Sequence, residues 1–104
     1  MARFDVYANP VAAEHKHTPY FLDVQNDYID HIASRVVVPL RSEAAFGPRP
    51  RNLSPLLQVN ADAVVMDTAA IGAVPVNELR KPLTNLRKAR AALQETLDTP
   101  FGAN

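Results

Sequence analysis

Tyr20-Phe21-Leu22-Asp23-Val24-Gln25-Asn26-Asp27-Tyr28-Ile29-Asp30-His31-Ile32-Ala33-Ser34-Arg35-Val36-Val37-Val38-Pro39-Leu40 is the stretch on which the fold turns. Tyr20, Leu22 and Val24 alternate with Phe21, Asp23 and Gln25, the period-2 pattern of a strand on a sheet with one buried face. Arg35 to Val38 is a β-branched run that closes at Pro39. Proline has no N–H to give to a ladder, which places Pro39 at a strand end, an edge or a bulge. A polar, acidic loop joins the two runs. Asp23, Asp27, Asp30 and His31 crowd it, but an EF-hand would need a glycine at its sharp turn and a closing glutamate. The plainer reading is a solvated loop whose Asn and Asp side chains satisfy nearby backbone groups. Tyr28 and Ile29 are large apolar residues in that polar loop. They are either tucked inward or displayed to a partner.

Outward from this segment, Arg3 to Tyr7 alternates and reads as a first strand, with Phe4 and Val6 on one face and Asn9-Pro10 as its stop. Val11 to Thr18 is a polar loop. Ser42 to Pro55 contains Phe46-Gly47-Pro48-Arg49-Pro50-Arg51, too rich in proline for regular structure. Leu56 to Val59 and Ala63 to Asp67 flank Asn60-Ala61-Asp62, a hairpin signal. Thr68 to Val76 holds another strand, broken by Gly72 and Pro75. The period then changes. Leu86, Ala89, Leu93 and Leu97 make an apolar stripe on a helix, with Asn85 as N-cap and Thr99-Pro100 as its end. The expected fold is mainly β: a small SH3-like barrel of antiparallel strands with one C-terminal helix packed on it.

A chain of 104 residues is expected to form a single domain over residues 1–104. Formal net charge is zero, so a globally basic nucleic-acid surface is not indicated. With no cysteine there is no disulfide or thiolate chemistry. No signal peptide or membrane-length apolar run is visible, which fits a cytoplasmic protein. No catalytic motif stands out, no nucleophile is identifiable near His31, and no cofactor is implied. His15 and His17 flank Lys16 as an exposed pair in a polar loop. Arg80, Lys81, Arg87, Lys88 and Arg90 form a basic cluster that gains nothing from the helix dipole and reads as a solvated face or a contact for phosphate or acidic peptide.

Leu22-Asp23-Val24-Gln25-Asn26-Asp27-Tyr28-Ile29-Asp30, followed by Arg35-Val36-Val37-Val38-Pro39-Leu40, resembles the CcdB toxins of bacterial type II toxin–antitoxin systems. Phe4, Tyr7, Leu53 to Val59, Thr68 and Val74-Pro75-Val76 support the resemblance, which covers nearly the whole chain. It implies a homodimer that binds the A subunit of DNA gyrase and traps the enzyme on cleaved DNA, acting by binding and not as an enzyme. It also implies a cognate antitoxin that neutralises the toxin and joins it in repressing the operon, with operator DNA contacted only indirectly, through the antitoxin. The gyrase contacts it implies fall on Arg3, Phe4 and Tyr7, on Asn26, Tyr28 and Ile29, and on Asp98, Phe101, Gly102, Ala103 and Asn104.

The tail departs from the family pattern. CcdB toxins typically close on Phe-Trp-Gly-Ile, whereas this chain reads Phe101-Gly102-Ala103-Asn104 and contains no tryptophan. Either Phe101 keeps the family phenylalanine and Gly102 replaces tryptophan, or Phe101-Gly102-Ala103 replaces Trp-Gly-Ile. An anchoring tryptophan commonly carries about 2 kcal/mol or more of an interface. Two alternatives follow: an attenuated relative that keeps antitoxin binding, and a MazF-like endoribonuclease. Neutral charge and the lack of an acid–base pair argue against the ribonuclease.

Overall fold

The computed structural model describes residues 2–25, 33–46 and 56–98. Its strands are β1 (Asp5–Ala8), β2 (Tyr20–Asp23), β3 (Ser34–Ser42), β4 (Leu56–Val59), β5 (Asp62–Met66), β6 (Gly72–Pro75) and β7 (Thr84–Asn85). Its helices are α1 (Glu43–Phe46) and α2 (Arg90–Asp98). The pairings are antiparallel in the order β4-β5-β3-β2-β1-β7, with β6 also on β3. The expected mainly β fold with a C-terminal helix is what the chain adopts, as a curled sheet forming a half-barrel.

β3 is the spine of the sheet. One side pairs with β2 throughout Val37 to Leu40, while the other pairs with β6 at Ser34–Val37 and then with β5 at Leu40–Ser42. Pro39 therefore does not end the strand. Its carbonyl accepts from Asp67 N at 3.0 Å, on the β5 side. In an extended chain a residue's N and C=O point the same way, so the missing donor faces the gap where β3 changes partner and costs no ladder bond.

Val6, Leu22 and Val38 stand opposite one another across β1, β2 and β3 and are fully buried. Phe4, Val24, Leu40, Val59, Val64 and Met66 extend this core, and Leu93 closes it from α2. The expected stripe is present: Leu86, Ala89 and Leu97 pack on the same cluster. Burying a leucine as Leu93 is buried contributes about 1.5–3 kcal/mol.

Four expectations need correction. The sheet is buried on both faces, because Tyr7, Val37 and Leu79 form a second cluster opposite the first. The first strand begins at Asp5, since Phe4 turns at a positive φ of 72°. The segment after Ser42 opens with the one-turn α1 before residues that lie outside the described ones. The helix starts at Arg90, not after Asn85: Asn85 belongs to β7, its Oδ1 accepts from Arg87 N at 2.7 Å, and a 3-10 turn over Arg87–Ala89 with Leu86 at its N-cap comes first. The hairpin forms as expected, with Val59 opposite Asp62 and Asn60 in the left-handed conformation that asparagine tolerates. No helix among the described residues is long and apolar enough to cross a membrane.

Candidate functional site

The segment Ala2–Asp5 is tied down from three sides. Asp5 N donates to Ala2 O at 3.0 Å and Asp5 Oδ2 accepts from Ala2 N at 2.9 Å. Asn85 Nδ2 donates to Arg3 O and to Asp5 Oδ1 at 3.1 and 2.9 Å. Phe4 N donates to Asp23 O at 2.6 Å, and its carbonyl accepts from Leu86 N at 2.9 Å. These bonds, with the Phe4 ring in the core, hold a bulky residue at a φ that costs roughly 1–3 kcal/mol.

That turn aims Arg3 between two elements. Its Nε donates to Val24 O at 3.2 Å, at the stem of the acidic loop, and its guanidinium lies 4.9 Å from the centre of the Phe4 ring. On the other side, Arg3 and Phe4 share a shallow cleft of about 280 Å3 with Arg90, Ala91 and Gln94 of α2. Gln94 Nε2 donates to Asp98 Oδ1 at 2.9 Å, so Asp98 stands one turn along the same helix face. Of the residues expected at the partner surface, Arg3 and Asp98 thus lie along one flank, and Phe4 lies at the floor of the cleft with its ring in the core. Asn26, Tyr28, Ile29, Phe101, Gly102, Ala103 and Asn104 lie outside the described residues. A second cleft of about 330 Å3 continues the flank, lined by Asp5, Asn85, Arg87 and Lys88.

Tyr7 is placed differently. It points to the opposite face of β1 from Phe4 and is fully buried. Its hydroxyl donates to Asp5 Oδ2 at 3.4 Å. Burial first, then the charges of Asp5 and Asp23, push its pKa up to about 12. In the chain by itself Tyr7 supports the turn from beneath and presents nothing at the surface.

Sequence reasoning missed the ion pair between β2 and β3. Asp23 Oδ2 accepts from Arg35 Nε at 2.7 Å, with both side chains at 0 % exposure. Asp23 Oδ1 accepts from Gln25 N at 3.0 Å, and Gln25 Oε1 accepts from Val36 N at 2.9 Å. Burial raises the Asp23 pKa above its ordinary value, and Arg35 and the Gln25 N–H pull it back. Asp23 and Arg35 lie on the same face of the sheet, since Asp23 pairs with Val37, diagonal to Arg35. Asp23 is thereby committed to Arg35, which removes it from the acidic cluster considered as a metal site. Asp27, Asp30 and His31 lie outside the described residues.

His15 and His17 are each engaged locally. His15 Nε2 lies 2.5 Å from Asn9 O, and His17 Nδ1 lies 2.9 Å from Thr18 Oγ1. Among the described residues no three His, Asp or Glu side chains gather as a metal site would require. Tyr20 is bound to the Asp62 carboxylate across the barrel, and this bond, ahead of burial, takes its pKa up to about 12.

Comparison with curated proteins finds no match. A family model described as CcdB protein matches residues 3–102, spanning β1 through α2 and both the turn and the helix that form the flank. With the fold and nearly all of its length accounted for in this way, the chain belongs to the CcdB family.

Proposed function

We propose that this chain, by its family a toxin of toxin–antitoxin systems, acts by binding the A subunit of DNA gyrase and trapping the gyrase–DNA cleavage complex. It works as a homodimer and without catalysis of its own. A cognate antitoxin neutralises it, and the two together repress their operon. The observation that carries this reading is the family match over residues 3–102. The placement of Arg3 and Asp98 along one flank, with the buried Phe4 ring beneath Arg3, supports it, because residues far apart in sequence lie on the same side of the chain.

The test is expression in a gyrase-sensitive bacterium, with gyrase-dependent DNA breaks as the molecular readout. Growth arrest with such breaks is expected, and arrest relieved by co-expressed antitoxin completes the picture. Neither arrest nor breaks would remove gyrase as the target.

One observation favours a second reading, an attenuated toxin that retains antitoxin binding: the chain has no tryptophan. Phe101→Trp and Gly102→Trp separate the two registers. If either substitution increases gyrase-dependent breaks at least tenfold over the parent chain, the missing anchor is what limits poisoning, in line with a loss of about 2 kcal/mol. If the parent chain is already as potent as both variants, attenuation is wrong.

A further inference from the structure

From Leu79 to Gln94 the chain carries Arg80, Lys81, Arg87, Lys88 and Arg90 and no Asp or Glu, although its 11 cations and 11 anions balance overall. The structure lays residues 83–86 of this segment along the side of β1 away from β2. Leu83 N donates to Val6 O at 2.8 Å, Asn85 pairs with Asp5, and Leu86 N donates to Phe4 O at 2.9 Å. All five cations are exposed. Among the described residues none of the five donates a side-chain hydrogen bond or forms an ion pair, whereas Arg35 and Arg41 are each bound to an aspartate. Glu78 and Glu95 flank the segment, and the carboxylate of β1 beside it, Asp5, is buried and already holds Ala2 N and Asn85.

The placement runs against helix stability. Arg87, Lys88 and Arg90 sit at and just before the start of α2, while Asp98 ends it. Cations at the positive end of a helix dipole and an anion at the negative end are the reverse of the stabilising arrangement. Folding therefore does not account for this cluster, and a polyanionic partner does.

We propose that this basic edge is a contact surface for the phosphate backbone of nucleic acid, made by the chain directly and without base recognition. The path from Arg80 to Leu86 bends at Lys81 and is extended at Thr84–Asn85; at no more than about 3.3 Å per residue it spans at most about 20 Å, enough to reach more than one phosphate. An acidic peptide would need apolar anchors as well, and Leu83 is the one exposed large apolar residue between positions 79 and 90. The net charge of zero hides the surface, because the cations here are offset by acids elsewhere. It departs from the expectation that operator DNA is met only through the antitoxin, and it stands whether or not gyrase is the target.

The experiment is fluorescence anisotropy of the full-length chain with a labelled duplex DNA of about 20 base pairs and a single-stranded RNA of the same length, between about 50 and 200 mM salt. Expected is binding that weakens steeply with salt. In Arg87→Gln/Lys88→Gln/Arg90→Gln the log–log salt slope on DNA falls by about 0.9 per cation removed, and affinity at the lowest salt drops at least about tenfold. Arg80→Gln/Lys81→Gln falls by a proportionate amount, and Lys16→Gln, outside the edge, is unchanged. Loss on DNA and RNA together assigns the surface to phosphates in general, and loss on DNA alone narrows it to the duplex. Thermal melts of each variant confirm folding. Three results overturn the proposal: no salt-dependent binding at the lowest salt, variants no weaker than Lys16→Gln, or poly-glutamate displacing DNA at equal charge concentration.

Discussion

Two charged regions of this molecule lie on either side of β1 and obey opposite rules. Beneath the sheet, Asp23 and Arg35 are sealed from water and bound to each other, with Gln25, Tyr7 and Asp5 around them. Along the β7 edge, Arg80, Lys81, Arg87, Lys88 and Arg90 stand in water, and among the described residues they are bound to nothing. The buried charges are costly to keep and more costly to separate, so they serve the fold. The exposed charges cost little and give the fold little, so their cause lies outside it. A charge count of zero describes neither region.

The sharpest way to break the contrast is to remove one member of the buried pair. Arg35→Met leaves the Asp23 carboxylate sealed without its cation. It should cost about 3–5 kcal/mol, enough to leave a small domain marginal. Asp23→Leu/Arg35→Met should recover most of that loss, because two apolar groups of suitable volume need no partner. Chemical denaturation of the three proteins checks both statements. If the double variant is no more stable than Arg35→Met, the cost lies in lost packing and the pair is not isolated electrostatically as described. Truncating an exposed cation such as Lys81→Ala should move stability by less than about 0.5 kcal/mol.

A second test uses pH. The pKa of Tyr7 is raised from 10.0 to about 12 in the folded chain. The neutral phenol is therefore favoured by folding. Its contribution is fully present below pH 10 and is lost as pH rises towards 12. Two units correspond to roughly 2–3 kcal/mol. Unfolding monitored between these limits should show a steep fall in stability that is shallower in Tyr7→Phe. Tyr20 is raised in the same direction through Asp62 and leaves a residual slope in that variant, smaller because its hydroxyl is more open to solvent.

Much of the fold was legible in the sequence because burial there is periodic. The alternation at Tyr20, Leu22 and Val24 and the stripe at Leu86, Ala89, Leu93 and Leu97 lead directly to the main core. What escaped was set by tertiary partners. Pro39 reads as a strand end, an edge or a bulge because proline removes a donor, yet its open side coincides with a change of partner strand inside β3. Thr84–Asn85 is too short to announce itself and exists as a strand because β1 offers it an edge. Asn85 reads as a helix cap, and its Oδ1 does accept from Arg87 N, but its backbone is held in β7 and a 3-10 turn intervenes before the helix begins at Arg90. The expected partner surface was legible only in part. The register of β1 turns Phe4 toward α2 and Tyr7 away from it, a distinction that a list of matching residues does not carry.

The smallest expected effect is the most telling about the exposed region. Arg90 opens α2, where the helix dipole is positive, and the first turn of α2 contains no acidic residue. Arg90→Glu should stabilise the chain by about 0.3–1 kcal/mol at low ionic strength, with the gain fading as salt screens it. Most surface substitutions lower stability or leave it unchanged, so a rise in thermal midpoint from one substitution is a specific outcome. Joined to a loss of nucleic-acid binding in the same protein, it would show stability and binding pulling in opposite directions at one residue. An arginine kept for the helix would lose both together. If Arg90→Glu instead lowers the midpoint, the guanidinium contributes packing over Phe4 and Ala91 in the cleft, and its presence there has a structural cause after all.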